Sequence, residues 1–451
     1  MLVTKDKAFY RTFARLALTL MLEQAVILSV NLADNLMLGA YSEASLSGVA
    51  AVNQIQFVLQ QVAYAVGNGM IVLASQYWGQ KRLGEIRQLS AIAARGEILL
   101  ALLLFALVSL FPEGTMRLFT DQPAFIGEGI QYLRIIRFSY LFFTLTAVLL
   151  STMRVVEQVK IALQASILAL AVNCSLNYLL IFGHGVVPEL GVRGAALGTL
   201  TARAVEFAVV AGTVFLRDRK LALRLRDWLR IDRRMLKDYL RVCAPVVVTA
   251  TLWGLSNALQ TVILGHLDDS AIAAQSISST VFLLLKVTSV GAASAASILI
   301  GKTIGEGRME KLREYTRTLQ LIFVAIGLTL GTIMLCLRKP LLSVYDISAR
   351  TRELAAAYML IQSVVLCTMS YQMPVNTGII RGGGDTRFAM ILDLVSIWGI
   401  VLPVSLLCAF VWKLSPIVVI IALNSDQVFK CLPACIRVNS YKWVKKLTRP
   451  A

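Results

Sequence analysis

Residues 16–39 read LALTLMLEQAVILSVNLADNLMLG, an almost unbroken apolar run. A helix needs roughly 20 such residues to cross about 30 Å of hydrocarbon, so the stretch predicts a membrane span. Lys5, Lys7, Arg11 and Arg15 precede it, and it contains no small-residue cleavage site. It is therefore read as a first membrane helix, counted from residue 14, and not as a removable signal. Two acids interrupt it. An ionisable residue inside a span costs several kcal/mol even by the lower estimates, so it needs a partner, water or a job. Glu23 and Asp34 are eleven residues apart. At about 3.6 residues per turn they share one helix face, three turns apart, and Asn31 continues the stripe one turn before Asp34.

Eleven more windows of this kind follow, at about 47–76, 88–111, 130–153, 162–182, 194–216, 242–265, 271–300, 318–337, 354–380, 388–410 and 415–436. The 451-residue chain is 57% hydrophobic and 16% charged, against roughly 45–50% apolar for a soluble domain. Transmembrane strands would be shorter and alternating. The expected fold class is thus an all-α integral membrane protein with twelve transmembrane helices. A net charge of +18 raises nucleic acid as a partner, but a DNA binder gathers its basic residues on a water-facing domain with its own core. No segment here could form one.

Basic residues fall on alternate sides of the spans. Lys81, Arg82 and Arg87 follow span two, Arg154 and Lys160 follow span four, and a dense run from Arg217 to Arg241 follows span six. The connections Tyr41–Leu46 and His266–Ser270 carry no Lys or Arg. By the positive-inside rule both termini are cytoplasmic, with the connection after span nine (Arg338, Lys339, Arg350, Arg352) the one exception. The halves also match at a nearly constant offset. Gly39 pairs with Gly265, Gly79 with Gly305, Arg82 with Arg308 and Arg87 with Arg313 at 226 residues; Arg154 pairs with Arg381 and Lys160 with Arg387 at 227. Six spans separate the copies, so the two six-helix repeats are parallel, a transporter arrangement with the substrate path at their interface. The expected domains are 1–216, a basic linker at 217–241 that meets anionic lipid head groups, and 242–451 with a basic cytoplasmic tail.

On span five, Asn173 and Asn177 lie one turn apart on one face of an apolar run. With Asp34 they supply oxygen ligands suited to a hard cation such as Na⁺, and the carboxylate alone could carry a proton. The alternative for the amides is interhelical hydrogen bonding, worth around 0.6 kcal/mol each. For Glu23 the alternative is to reach water at the cytoplasmic end. At the repeat offset Asp34 corresponds to Gln260 and Glu23 to Thr249, so span seven has no acid. Lys286 in span eight and Asp393 in span eleven are expected to form an ion pair in the second lobe, either as a packing or registry element or in direct coupling.

No catalytic constellation competes, so the chain is read as a non-enzyme without cofactor. The only histidines, His184 and His266, fall in external connections. The seven cysteines show no CxxC or Cys/His spacing and read as small apolar residues. Arg381-Gly-Gly-Gly-Asp385-Thr-Arg387 lacks the spacing and the strand of a phosphate loop and reads as a tight cytoplasmic turn.

Taken in order, several segments resemble the multidrug and toxic compound extrusion (MATE) family, in its bacterial NorM/DinF-like branch. They are Asp34-Asn-Leu-Met-Leu-Gly39 on the first helix, Ala74-Ser-Gln-Tyr-Trp-Gly-Gln80 closing the second, Asn173-Cys-Ser-Leu-Asn177-Tyr on the fifth, Pro188-Glu-Leu-Gly-Val-Arg-Gly194-Ala-Ala, and the Arg381–Arg387 turn. The resemblance covers essentially the whole chain. It implies a V-shaped two-lobe bundle in the bacterial inner membrane. It implies a monomer that exchanges Na⁺ or H⁺ for small organic, mostly cationic amphiphilic, substrates by alternating access. It makes Asp34 the N-lobe coupling carboxylate, with Asn173, Asn177 and Thr199 of span six as neighbours; if Na⁺ is the ion, Asp34, Asn173 and Asn177 hold it. Some family members carry an acid where this chain has Asn177, and many carry a glutamate in the seventh helix. Around Pro245-Val-Val-Val-Thr249-Ala-Thr-Leu-Trp253 there is none. A flippase for a lipid-linked sugar is the alternative within the superfamily, and would favour fourteen spans and a cationic cleft. Substrate residues are not legible, because amphiphile pockets are lined by the same apolar and aromatic side chains that pack helices.

Overall fold

The structure is a computed structural model that describes residues 3–450 apart from 121, 184–187, 230–231, 266–268 and 346. Both histidines lie outside the described residues. The described chain is helical, with no strand. Eleven helices are long and apolar enough to cross a membrane, or twelve if one bent pair counts as a single span. They are α1 (Lys7–Tyr41), α2 (Glu43–Gly79), α3 (Leu83–Leu110), the bent pair α4 (Pro123–Ile136) and α5 (Ser139–Val155), α6 (Lys160–Phe182), α7 (Val192–Arg217), α8 (Arg233–Gly265), α9 (Ser270–Gly305), α10 (Met309–Val344), α11 (Ala349–Ile380), α12 (Thr386–Val411) and α13 (Pro416–Asn439).

Helix α3 shows why these segments need lipid. Its N-terminal part is buried, Ile86, Leu89 and Ala93 among it, while toward its C-terminal end Leu99, Leu102, Leu103, Leu107 and Leu110 stand 49–71% exposed. A contiguous apolar surface of that size is a liability in water and ordinary in hydrocarbon. The expected span at 130–153 is bent by 55° between α4 and α5. Two side chains account for the break. Ser139 donates its hydroxyl to the Ile136 carbonyl at 2.7 Å, a local bond that competes with the helical ladder. Arg137 turns out of the helix to lie against the rings of Phe105 and Phe138 and to donate to Ser109 Oγ at 2.9 Å. The later helices contain wide π-type turns at Pro374–Ile380, Leu394–Val401 and Leu407–Val411, a device that shifts side-chain register within a continuous helix.

Compactness divides the chain at other positions than the sequence repeat does. One unit joins Leu22–Ala74 to Arg82–Cys243; the other joins Met1–Met21, Ser75–Lys81 and Ala244–Ala451. The first has its core at Leu38, Val52, Ile55, Leu59, Tyr132, Leu133 and Tyr140, where α1, α2, α4 and α5 meet. Its basic connection after α7 is tied down. Asp218 accepts from the backbone N–H groups of Lys220, Leu221 and Ala222 and from Gln158 at 2.7 Å, and Arg87 donates to the Leu221 carbonyl at 2.8 Å.

The second unit has its core at Ile263, Leu330, Tyr358, Met359, Leu366 and Val419. Gly327 and Gly331 of α10 lie directly against Cys367 and Ser363 of α11, where any Cβ would collide; such small-residue stripes let membrane helices approach closely. Arg381–Gly384 form the tight turn between α11 and α12, with Gly384 at φ +102°, a conformation that favours glycine. The chain's last residues close over this turn. Trp443 is fully buried against Gly383, and Gln76 binds both the Lys445 carbonyl and the Leu447 N–H, at 2.9 and 2.8 Å. Asp385 accepts from Lys445 Nζ at 2.5 Å and from Arg437 Nε at 3.0 Å. Burial pushes the Asp385 carboxyl up, but the two cationic donors outweigh it and hold it below its ordinary value.

Candidate functional site

Helices α1, α6 and α7 bring four of the sequence-predicted residues together in the first unit. Asn177 Nδ2 donates to Asp34 Oδ1 at 2.5 Å and lies 3.4 Å from Asn173 Oδ1, while Asn173 Nδ2 donates to Thr199 Oγ1 at 3.2 Å. Helical spacing places the two asparagines one turn apart on α6, both buried. Gly198, one residue before Thr199, is what allows α7 to come so near. A Cβ there would run into Asn177 Oδ1. That oxygen is buried without a hydrogen-bond partner among the described residues, so the site holds an unused acceptor beside a carboxylate. Turning the terminal amide by half a rotation would present it to a cation.

Asp34 faces a small cavity lined also by Asn31, Asn53, Gln56, Gln60, Tyr132, Asn173, Thr199 and Arg203. Amides and hydroxyls make up most of its polar lining, Arg203 is its one cation, and Val30, Ala169 and Ala202 are apolar; Asp34 makes no salt bridge among the described residues. Asn31 takes its expected place on the same stripe of α1. A second small cavity is bordered by Glu23, Tyr64, Arg154, Ser166, Arg203 and Glu206 among others. Arg203 borders both cavities.

One alternative is excluded and one expectation needs correcting. Glu23 does not reach water: it is 1% exposed and paired with Arg154 at 2.5 Å. Lys286 and Asp393 do not pair. Asp393 meets Lys430 of α13 at 3.0 Å, Lys430 also meets Asp426 at 2.9 Å, and Lys286 lies 5.5 Å from the Trp253 ring centroid. The reason is the packing of α12 against α13, which puts an ammonium beside Asp393 that the order of the spans does not reveal.

Other ionisable residues inside spans were missed altogether. Arg203 and Glu206 form an intrahelical pair at 2.8 Å on α7, their three-residue spacing being the signal available in sequence. Asp426 and Lys430 carry the four-residue version on α13. Glu97 on α3 is fully buried, with neither carboxyl oxygen hydrogen-bonded among the described residues; it lines neither cavity. Thr249 and Gln260 sit away from any such cluster, bonded to their own helix at Pro245 O (2.8 Å) and Ser256 Oγ (3.1 Å).

Comparison with known proteins places this arrangement. The MatE family model matches residues 20–179 and 245–407, one segment in each half of the chain. A probable multidrug resistance protein NorM of Thermotoga maritima is 26% identical over 439 residues, spanning 96% of this chain and 94% of the relative. The uncharacterized transporter YisQ of Bacillus subtilis is 22% identical over 88% of this chain and 87% of its own. Among solved structures, the bent form of the Vibrio cholerae MATE transporter VcmN superposes with a TM-score of 0.85 at 16% identity, covering 96% of this chain and 97% of that one. A superfamily transporter of Pyrococcus furiosus, whose binding pocket is described as reversed in polarity, superposes at 0.86 and 18% identity, covering 98% and 100%. A helical membrane chain that matches the family model in both halves, and its relatives almost end to end, belongs to the MATE family of multidrug efflux transporters.

Proposed function

We propose that the protein is a secondary-active exporter that couples the outward movement of organic, mostly cationic amphiphilic, compounds to the entry of one monovalent cation at Asp34. The observation that carries this reading is the isolation of that carboxylate. Glu23 and Glu206 are each ion-paired with an arginine, whereas Asp34 has an amide bonded to it and no ion-pair partner among the described residues, the nearby Arg203 being held by Glu206. A carboxylate without an ion-pair partner of its own within a membrane span invites a cation.

Asn173, Asn177 and Thr199 act around it. They hold the carboxylate oriented while the site is empty and offer amide and hydroxyl oxygens when Na⁺ binds; with H⁺, Asp34 alone takes the charge. Either ion can drive transport only through a difference in affinity between the two facing states of alternating access. Loading must therefore change how α1 sits against α6 and α7. The chain is placed in the bacterial inner membrane with both termini cytoplasmic, working as a monomer. Everted vesicles given an imposed Na⁺ gradient or an imposed pH gradient test the reading. Substrate accumulation driven by one of them is expected, and accumulation that needs neither gradient, or that needs ATP, would overturn it.

A further inference from the structure

Among the described residues, two acids stand within the second unit's apolar windows (388–410 and 415–436), Asp393 on α12 and Asp426 on α13. Neither lacks an ion-pair partner as Asp34 does, because one side chain answers both. Lys430 is 3% exposed, and its Nζ stands 3.0 Å from Asp393 Oδ1 and 2.9 Å from Asp426 Oδ2. The cluster is ordered further by amides: Gln427 donates to Asp426 at 2.8 Å and accepts from Gln372 at 2.7 Å. Lys286 is also within electrostatic reach of Asp426, and Arg381 of Asp393.

Two carboxylates touching one buried nitrogen, with amides in support, are the donor set that a small monovalent cation would use. We propose that Lys430 is the resident cation of the second unit: its ammonium permanently occupies a carboxylate site that would otherwise bind Na⁺ or H⁺, and so restricts the transporter to the single exchangeable cation at Asp34. The chemistry is simple. A tethered ammonium cannot leave, so its charge stays beside the two carboxylates through the cycle, the second negative charge being offset at longer range by Lys286 and Arg381, and the cluster contributes nothing to the driving force. Without it, two neighbouring carboxylates cannot both stay ionised in a low-dielectric site, and one must recruit a proton or a metal cation. This rests on the assignment of Asp34 as the exchangeable site.

The test counts bound cations in the purified full-length protein, using radioactive Na⁺ at mildly alkaline pH and, separately, proton uptake followed with a pH indicator as the solution is acidified. Wild type is expected to bind one cation that Asp34→Asn abolishes. Lys430→Gln is expected to bind one more, as Na⁺ or as H⁺; this extra cation should persist in Lys430→Gln/Asp34→Asn and vanish when Asp393→Asn and Asp426→Asn are added. Lys430→Arg should keep the wild-type count. An unchanged count in Lys430→Gln overturns the proposal. Should that variant fail to accumulate, Asp34→Asn with Lys430 intact still decides. Its thermal stability should no longer rise with Na⁺ or with protons in the range where wild type responds, since a ligand stabilises only a site it can occupy. A remaining cation-dependent rise that Asp393→Asn removes would show an exchangeable site beside Lys430. Failure of Asp34→Asn to remove the first cation, with the Lys430→Gln gain intact, would count against Asp34 alone.

Discussion

Replacing Glu23 by Gln tests the distinction between a carboxylate that builds the membrane unit and one that works in transport. Glu23 and Arg154 are joined at 2.5 Å with side chains 2% and 12% exposed, so neither charge has water to fall back on. Removing one member of such a pair leaves the other buried and uncompensated, at a cost of about 3–5 kcal/mol. At about 2–4 °C per kcal/mol for a body of 150–250 residues, Glu23→Gln or Arg154→Met should each lower the melting temperature by about 6–20 °C. The double variant removes both desolvation penalties together and should return most of that loss. Melting of the four proteins in one detergent, followed by ligand-independent fluorescence, gives the cycle and the coupling energy between the two sites. The double variant should also retain cation-driven efflux, because Asp34 and its amides are untouched. Additive losses in the double variant would show that the two side chains do not meet, and loss of coupling at restored stability would make Glu23 a working carboxylate.

Three further outcomes follow from the same geometry. Gln260→Ala and Thr249→Ala should leave gradient-driven efflux within about twofold of wild type, since each side chain bonds only its own helix and such contacts are worth about 1 kcal/mol or less; loss as complete as in Asp34→Asn would require a second exchangeable site. Gly198→Ala should push α7 from α6 through Asn177 Oδ1 and weaken cation binding about tenfold or more, an overpacking cost of roughly 1–3 kcal/mol; wild-type affinity would show the contact to be slack. Asp385→Asn should free the C-terminal residues and raise trypsin cleavage at Lys442 and Lys445 by about tenfold or more, since hydrogen bonds to a charged group are worth about 1.5–3 kcal/mol. Because the folded carboxyl is held below its ordinary value, its contribution is present above the unfolded value, near pH 3.9, and is lost only as pH falls further, through the folded one. Protection of these residues by amide exchange should therefore survive mild acid; release at mildly acidic pH in wild type would contradict the clamp.

Periodicity alone carried the sequence reading as far as the span count, the repeat, and the shared faces of Asp34 with Asn31 and of Asn173 with Asn177. Each of these is a property of one helix or of a spacing along the chain. That α1, α6 and α7 converge, so that Asn177 touches Asp34 and Asn173 touches Thr199, depends on tertiary placement; Thr199 entered only through family resemblance. The pairing of Lys286 with Asp393 went wrong for the same reason. Depth along a span limits which residues can meet, but helix neighbours choose among them, and Lys430 was nearer. The break at Arg137 is hidden in sequence because the apolar window 130–153 runs straight through it, whereas in space its guanidinium covers two rings. Arg203 and Glu206 were legible in principle, since the rule that singled out Glu23 applies equally to them.

The central claim is that Asp34 is the group through which a cation gradient moves substrate. It is tested most directly by reconstituting wild type and Asp34→Asn into vesicles and comparing two modes of transport in each, gradient-driven efflux and substrate counterflow at equilibrium without a gradient. The variant lacks only a charge that was costly to bury, so it should fold, bind substrate and support counterflow while gradient-driven efflux is lost. Gradient-driven efflux at the wild-type rate in Asp34→Asn would contradict the account.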